Sequence, residues 1–276
     1  MNILFVGKKP RFMTSNKFLH SIRQRYRTKT GGFSGTLDPF AKGVLIIALG
    51  DISKLFRFFE KDKKVYRATL WLGADSKSLD IDTEVNIKNI NNFDVNYLKE
   101  ILKSFEKKIK YIPPKYSAKF IDGQRAYNLA RDGKEVNLKE IESEIFEIDF
   151  INYSHPFLTF DITVSEGSYI RSIGKLIAEK LNTVGILSNL ERIREGNFVF
   201  NNEEKLDPIK YLQKDFRENR FLRDTKYLFD GSSIRLSNLE IQEIGRYYIK
   251  YEHFLAIIEI NKNYEVSYLV NRVEVK

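Results

Sequence analysis

The chain contains no cysteine, which excludes disulfides, zinc–thiolate sites and cysteine nucleophiles together. Its three histidines, His20, His155 and His253, are far apart in sequence, so a histidine-built metal site is not expected either. No apolar run approaches the roughly 18 residues of a membrane span. The segment Met1 to Gly7 lacks both the length and the basic lead of a signal h-region. These absences make a soluble, cytoplasmic protein the expectation. One more absence concerns charge. From Met1 to Leu37 there is no Asp or Glu, against eight basic residues: Lys8, Lys9, Arg11, Lys17, Arg23, Arg25, Arg27 and Lys29. That stretch carries +8 of the formal +9, because the remainder sets 38 basic residues against 37 acidic ones. An evenly Lys-rich surface would not segregate in this way, whereas a local cluster neutralises phosphates and steers a polyanion toward one face.

What is present is enough for a real core. The chain has 276 residues, 42% of them hydrophobic, which suits one large domain plus a small one. Ile3 to Val6 reads as a buried strand. Ser15 is placed to cap a helix whose Phe18, Leu19, Ile22 and Tyr26 share one face. Three glycines between Thr28 and Gly35 end that helix, and Pro39 biases Asp38 away from helical backbone. Val44 to Leu49 is a strand candidate and Ile52 to Phe59 a short helix. Val65 to Gly73 is a strand with Tyr66, Ala68, Leu70 and Leu72 on one face. Asn86 to Asn96 is a connection and Val95 to Phe105 a helix that Pro113-Pro114 follows. Phe157 to Ser165 alternates as a strand before a helix from Tyr169 to Leu181. After Asp207-Pro208 a charged helical segment is expected, then a small unit beyond Asp230-Gly231 with strands Leu255 to Ile260 and Val266 to Val273. Strands and helices mix without a βαβ rhythm, so the class is α+β.

Three segments carry the chemistry: Gly32-Phe33-Ser34-Gly35-Thr36-Leu37-Asp38-Pro39-Phe40-Ala41-Lys42-Gly43, Lys64-Val65-Tyr66-Arg67-Ala68, and Ser165-Glu166-Gly167-Ser168-Tyr169-Ile170-Arg171-Ser172. Singly, each is an ordinary turn, core strand or helix start. In this order and spacing they resemble the bacterial TruB family of tRNA pseudouridine synthases. Further matches are Lys9-Pro10 with Met13-Thr14-Ser15, Leu72-Gly73 ahead of Asp80, Pro113-Pro114-Lys115-Tyr116-Ser117-Ala118, and Ala130-Arg131-Asp132-Gly133.

The resemblance implies a pseudouridine synthase fold with a mixed central sheet, spanning residues 1–228. It also implies an RNA-gripping insertion at about 111–140 and a shortened C-terminal unit of the PUA type at 229–276. The implied reaction is isomerisation of the T-loop uridine at tRNA position 55, without metal or cofactor. Nothing in the sequence suggests an interface, so a monomer with no obligate protein partner is the expectation. Asp38 takes the nucleophile's role, Arg171 that of its cationic partner and Tyr66 that of the active-site tyrosine. A carboxylate that must be both ionised and dry needs such a cation. A cation near a helix N-terminus is opposed by the dipole, so a nearby anion is expected to explain Arg171. Lys9, Phe33, Tyr169, Lys115, Lys119 and Arg131 are the expected RNA contacts.

The chain departs from the family where Phe33 stands in place of a histidine, where Ser76 and Ser78 replace threonines, and where Glu166 replaces a frequent lysine. A phenyl ring retains the π face that stacks on a base but makes no hydrogen bond. Two other readings fit part of this pattern: a synthase for another RNA site, and a tRNA-binding or folding chaperone without turnover.

Overall fold

The computed structural model describes residues 1–117, 119–121, 124–131 and 137–275. Its centre is a nine-stranded mixed sheet. Along the main path of that sheet run β1 (Ile3–Lys9), β3 (Lys42–Leu49), β8 (Gly185–Glu195), β4 (Lys64–Leu72), β7 (Phe157–Val164), β6 (Ile141–Ser154) and β5 (Lys108–Tyr111), in that spatial order. The short β2 (Gly31–Ser34) pairs with β3 off this path. All neighbours are antiparallel except β3 and β8, where Glu191 lies beside Lys42 and Arg192 beside Gly43. That one parallel seam brings the far end of β8 against the segment that carries Asp38.

The strands follow from their patterns. In β4 the alternation buries Tyr66, Ala68, Leu70 and Leu72 while Arg67 stays exposed, as period-2 geometry demands. β3 is apolar on both faces and almost wholly buried, because helix α1 (Ser15–Arg25) covers one face and the Gly50–Phe58 3-10 helix and the C-terminal layer cover the other. Helices α2 (Val95–Lys103) and α3 (Ile170–Lys180) share a separate core with β4, β7 and β8.

Several local expectations are corrected. Thr14, not Ser15, caps α1 by accepting the Lys17 amide at 3.1 Å. Ser15 is buried and its hydroxyl both donates to the Leu37 carbonyl and accepts the Leu37 amide. The charged stretch after Asp207-Pro208 forms no long helix: it holds a 3-10 turn, Pro208–Tyr211, then strand β9 (Phe216–Glu218) and a single short helical turn, Lys226–Phe229. Strands β6 and β8, with many polar and charged residues, had no clean hydrophobic alternation to announce them.

A four-stranded sheet, β9, β10 (Gly245–Tyr251), β11 (Phe254–Ile260) and β12 (Val266–Glu274), forms the C-terminal layer. Because β9 belongs to it, this layer begins ahead of Asp230-Gly231. Leu255, Ile257 and Val273 share one core with Val44, Ile46, Ile52 and Phe58, so the layer is fastened to the central sheet by common apolar burial.

Candidate active site

Asp38 sits on the loop between β2 and β3, on the wall of a cavity of about 260 Å³. Thr36, Lys64, Tyr66, Tyr169, Arg171, Leu190 and Arg192 also line it. The sheet supplies Tyr66 from β4 and Leu190 and Arg192 from β8. The start of α3 supplies Arg171.

Arg171 organises one side. Its side chain is 3% exposed, with Nε 2.9 Å from Asp38 Oδ2 and Nη1 3.0 Å from Asp80 Oδ2. The same guanidinium donates to the carbonyls of Ser78 at 2.7 Å and Tyr116 at 2.8 Å. Two carboxylates thus supply the anion that the helix N-terminus withholds, and the planar fork satisfies four partners at once. Asp80 is itself prepared: the hydroxyl of Ser78 donates to Oδ1 at 2.5 Å, the Asp82 amide donates to the same oxygen at 2.9 Å, and Ser76 donates to the Asp80 carbonyl. The serines at 76 and 78 therefore do the holding through hydroxyls alone. Burial pushes the Asp80 carboxyl above its ordinary range, against the pull of Arg171. Asp82 is raised too, by burial first and by the Asp38 charge second. Asp38, by contrast, keeps 32% of its side chain exposed, so the carboxylate that faces the cavity is held at one oxygen and open beyond it.

A second buried guanidinium lies across the cavity. Arg192 donates from Nε to the Val44 carbonyl and from Nη2 to the Gly35 carbonyl, both at 2.8 Å. One side chain therefore fastens both ends of the loop that carries Asp38. Glu195, fully buried, lies 3.1 Å from Arg192 Nη2 and 3.4 Å from Lys64 Nζ, and accepts from the Ser34 hydroxyl. Gly35 has φ +66°, and a Cβ there would lie 2.9 Å from Arg192 Nη1 and 3.0 Å from Glu195 Oε1. Only glycine fits that turn without strain or displacement.

The expected catalytic trio thus converges on one cavity, but the expected RNA contacts divide. Tyr169 lines the cavity, and burial raises its phenol above the usual range. Lys115 is exposed and Lys119 partly so. The side chain of Arg131 lies outside the described residues. Phe33 is half-buried and packs beside the core of Phe5, Leu19, Ile22 and Ile47. Lys9 is a correction: it is fully buried, and its ammonium donates to the carbonyls of Pro10, Met13 and Pro39. Desolvation lowers it to about 8, with Asp38 and Asp82 pulling the other way. A group sealed in this way braces the Asp38 loop from within and cannot meet a phosphate. Sequence reasoning missed Lys64, Asp82, Arg192 and Glu195 as parts of the site. Their neighbours flagged them, since Lys64 stands two residues before Tyr66 and Arg192 two after Leu190.

The architecture is that of the pseudouridine synthases. A chain of the crystal structure of a Cbf5–Nop10–Gar1 complex superposes with a TM-score of 0.66 at 17% identity, covering 99% of this chain and 84% of that one. An archaeal box H/ACA Nop10–Cbf5 complex gives 0.61 at 17% identity, covering 99% and 85%. Residues 23–170 match the family model of the TruB family pseudouridylate synthase N-terminal domain. The tRNA pseudouridine synthase B of Nitratiruptor sp. is 49% identical over 99% of this chain and 98% of its own length. That of Campylobacter jejuni serotype O:2 is 49% identical over 99% of both. The chain belongs to the TruB family of pseudouridylate synthases, and its enzyme class is isomerase.

Proposed function

We propose that the protein converts the T-loop uridine at position 55 of tRNA to pseudouridine, with Asp38 as covalent nucleophile. The observation that carries this reading is the open carboxylate of Asp38, held by Arg171 in a cavity that also contains Tyr66. Attack by this carboxylate forms a covalent bond from Asp38 to the nucleotide, and the N1–C1′ bond breaks. The uracil turns within the cavity, a C5–C1′ bond forms, the bond to Asp38 breaks to return the free carboxylate, and the proton that leaves C5 is balanced by one gained at N1. Atoms and oxidation states are conserved, so the chemistry calls for no redox partner. The Tyr66 hydroxyl is the candidate base for the C5 proton, and its ring the surface on which uracil rests.

The target base reaches the cavity by leaving its stack, which costs a few kcal/mol that stacking and phosphate contacts must offset. The basic surface and residues 111–140 supply the electrostatic part, with Lys115 and Lys119 as phosphate contacts. The C-terminal layer extends the RNA-facing surface as a shortened PUA-type unit. The protein is a cytoplasmic monomer in this reading. Among the described residues no helix is long and apolar enough to cross a membrane.

The test is pseudouridine formation on unmodified tRNA transcripts by wild type and Asp38→Asn, with a second transcript carrying cytidine in place of the target. Product from wild type on the intact target alone is expected, with the variant still binding tRNA. Tight binding with no product in any arm would replace this reading with that of a folding chaperone. Product on the cytidine transcript would move the site elsewhere in the RNA.

A further inference from the structure

Lys64 is buried in the cavity wall, with 8% of its side chain exposed, between two carboxylates of opposite character. Glu195 Oε1, 3.4 Å from the ammonium, is sealed from solvent and shared with Arg192. Glu166 Oε1, 3.5 Å away, belongs to a side chain 51% exposed at the cavity mouth. The two buried cations and the one buried carboxylate leave a charge of +1 that Glu166 neutralises from outside. Such a charge lining a cavity is unfavourable without a counter-ion. Glu166 rides on the turn before α3, where Gly167 has φ +82° and a Cβ would meet no heavy atom within 4 Å. With half of its side chain in solvent, Glu166 is free to rotate away from the ammonium, whereas Lys64, almost wholly buried and paired with Glu195, stays in the wall.

We propose that Lys64 forms an anion subsite for a phosphodiester flanking the target uridine, and that Glu166 occupies this subsite until RNA displaces it. The inference rests on the reading of the protein as a T-loop synthase and adds to it the group that grips the backbone of the extruded nucleotide. A nucleotide entering the cavity brings one phosphate charge, the quantity Glu166 supplies in its absence. Glu166 is therefore an internal competitor that weakens binding to any RNA whose backbone fails to reach Lys64.

The experiment measures affinity for a T-arm RNA across a salt series with wild type, Glu166→Gln, Lys64→Met and the double variant. Glu166→Gln is expected to bind roughly fivefold tighter at low salt. Its log–log salt slope should steepen by about one, because phosphate then releases a solution anion from Lys64. Lys64→Met is expected to weaken binding and to abolish the gain from Glu166→Gln. A parallel arm leaves the protein intact and replaces either phosphodiester flanking the target with a neutral methylphosphonate, one of which should erase the Glu166→Gln gain. A gain that survives both neutral linkages, or that persists beside Lys64→Met, would overturn the subsite in favour of general charge repulsion. Active wild type with no gain at all would overturn it as well. Wild type that forms no pseudouridine while the gain stays tied to one linkage would instead remove the reading of the reaction and keep the anion subsite.

Discussion

Two buried guanidiniums face the same cavity and are used differently. Arg171 is shared between a half-open carboxylate, Asp38, and a closed one, Asp80. Arg192 meets only a closed one, Glu195, and spends its other donors on the backbone at the two ends of the Asp38 loop. A buried charge pair that is fully enclosed gives geometry and little net stability, whereas removing one partner leaves the other stranded. In the proposed reading, the pair left open on one side is the one that does the chemistry. Reactivity would then come from an incomplete enclosure, and the complete enclosure next to it fastens the loop that carries Asp38.

The largest test of this contrast is Asp38→Asn, which removes the half-open carboxylate that Arg171 holds. Turnover should fall at least about 10⁴-fold with tRNA affinity retained, read from single-turnover kinetics beside a binding isotherm. Arg171→Lys keeps the charge but cannot span four partners, and should lower the single-turnover rate by about 10²-fold. Arg192→Lys should lower that rate by about 10-fold through a loosened loop and cost about 2–3 kcal/mol of stability, measured by urea unfolding. A larger catalytic loss for Arg192→Lys than for Arg171→Lys would reverse the roles assigned to the two centres.

Gly35→Ala probes the seam between them. With φ at +66° and Arg192 and Glu195 already at contact distance, it should destabilise by about 1–2 kcal/mol. A last test concerns Lys9 and pH. Its ammonium is lowered to about 8 from 10.5 by burial, so between these values the unfolded chain binds more protons than the native one. Native stability relative to Lys9→Met therefore rises as pH climbs from about 8 to about 10.5, by at most about 3 kcal/mol. Denaturant midpoints of both proteins across that range check the sign, and a falling difference would contradict it.

The legible parts were those written locally. The alternation of Tyr66, Ala68, Leu70 and Leu72 announced β4, and the apolar stripe of Leu19 and Ile22 announced α1. Asp38, Tyr66 and Arg171 stood out because each lies inside a short motif. Strand β8 escaped because its pattern is broken by bulges at Leu187/Asn189 and Arg192/Arg194, which shift the register and hide the period. Lys9 misled for a related reason: a lysine in a basic stretch reads as surface, and burial among three carbonyls is set by segments as distant as Pro39.

By itself the sequence determined the family, the motifs in which Asp38, Tyr66 and Arg171 stand, and the helices and strands with clean periodicity, since these depend on neighbours within a few positions. Only the tertiary structure decided which charges are sealed and which are open. Lys9 and Lys8 are adjacent, yet one is fully buried and the other reaches Glu191 at the surface. Glu166 and Glu195 both approach Lys64, one from solvent and one from the core. The dielectric surroundings of an ionisable group are fixed by chains packed around it from far along the sequence, and no local pattern carries that information.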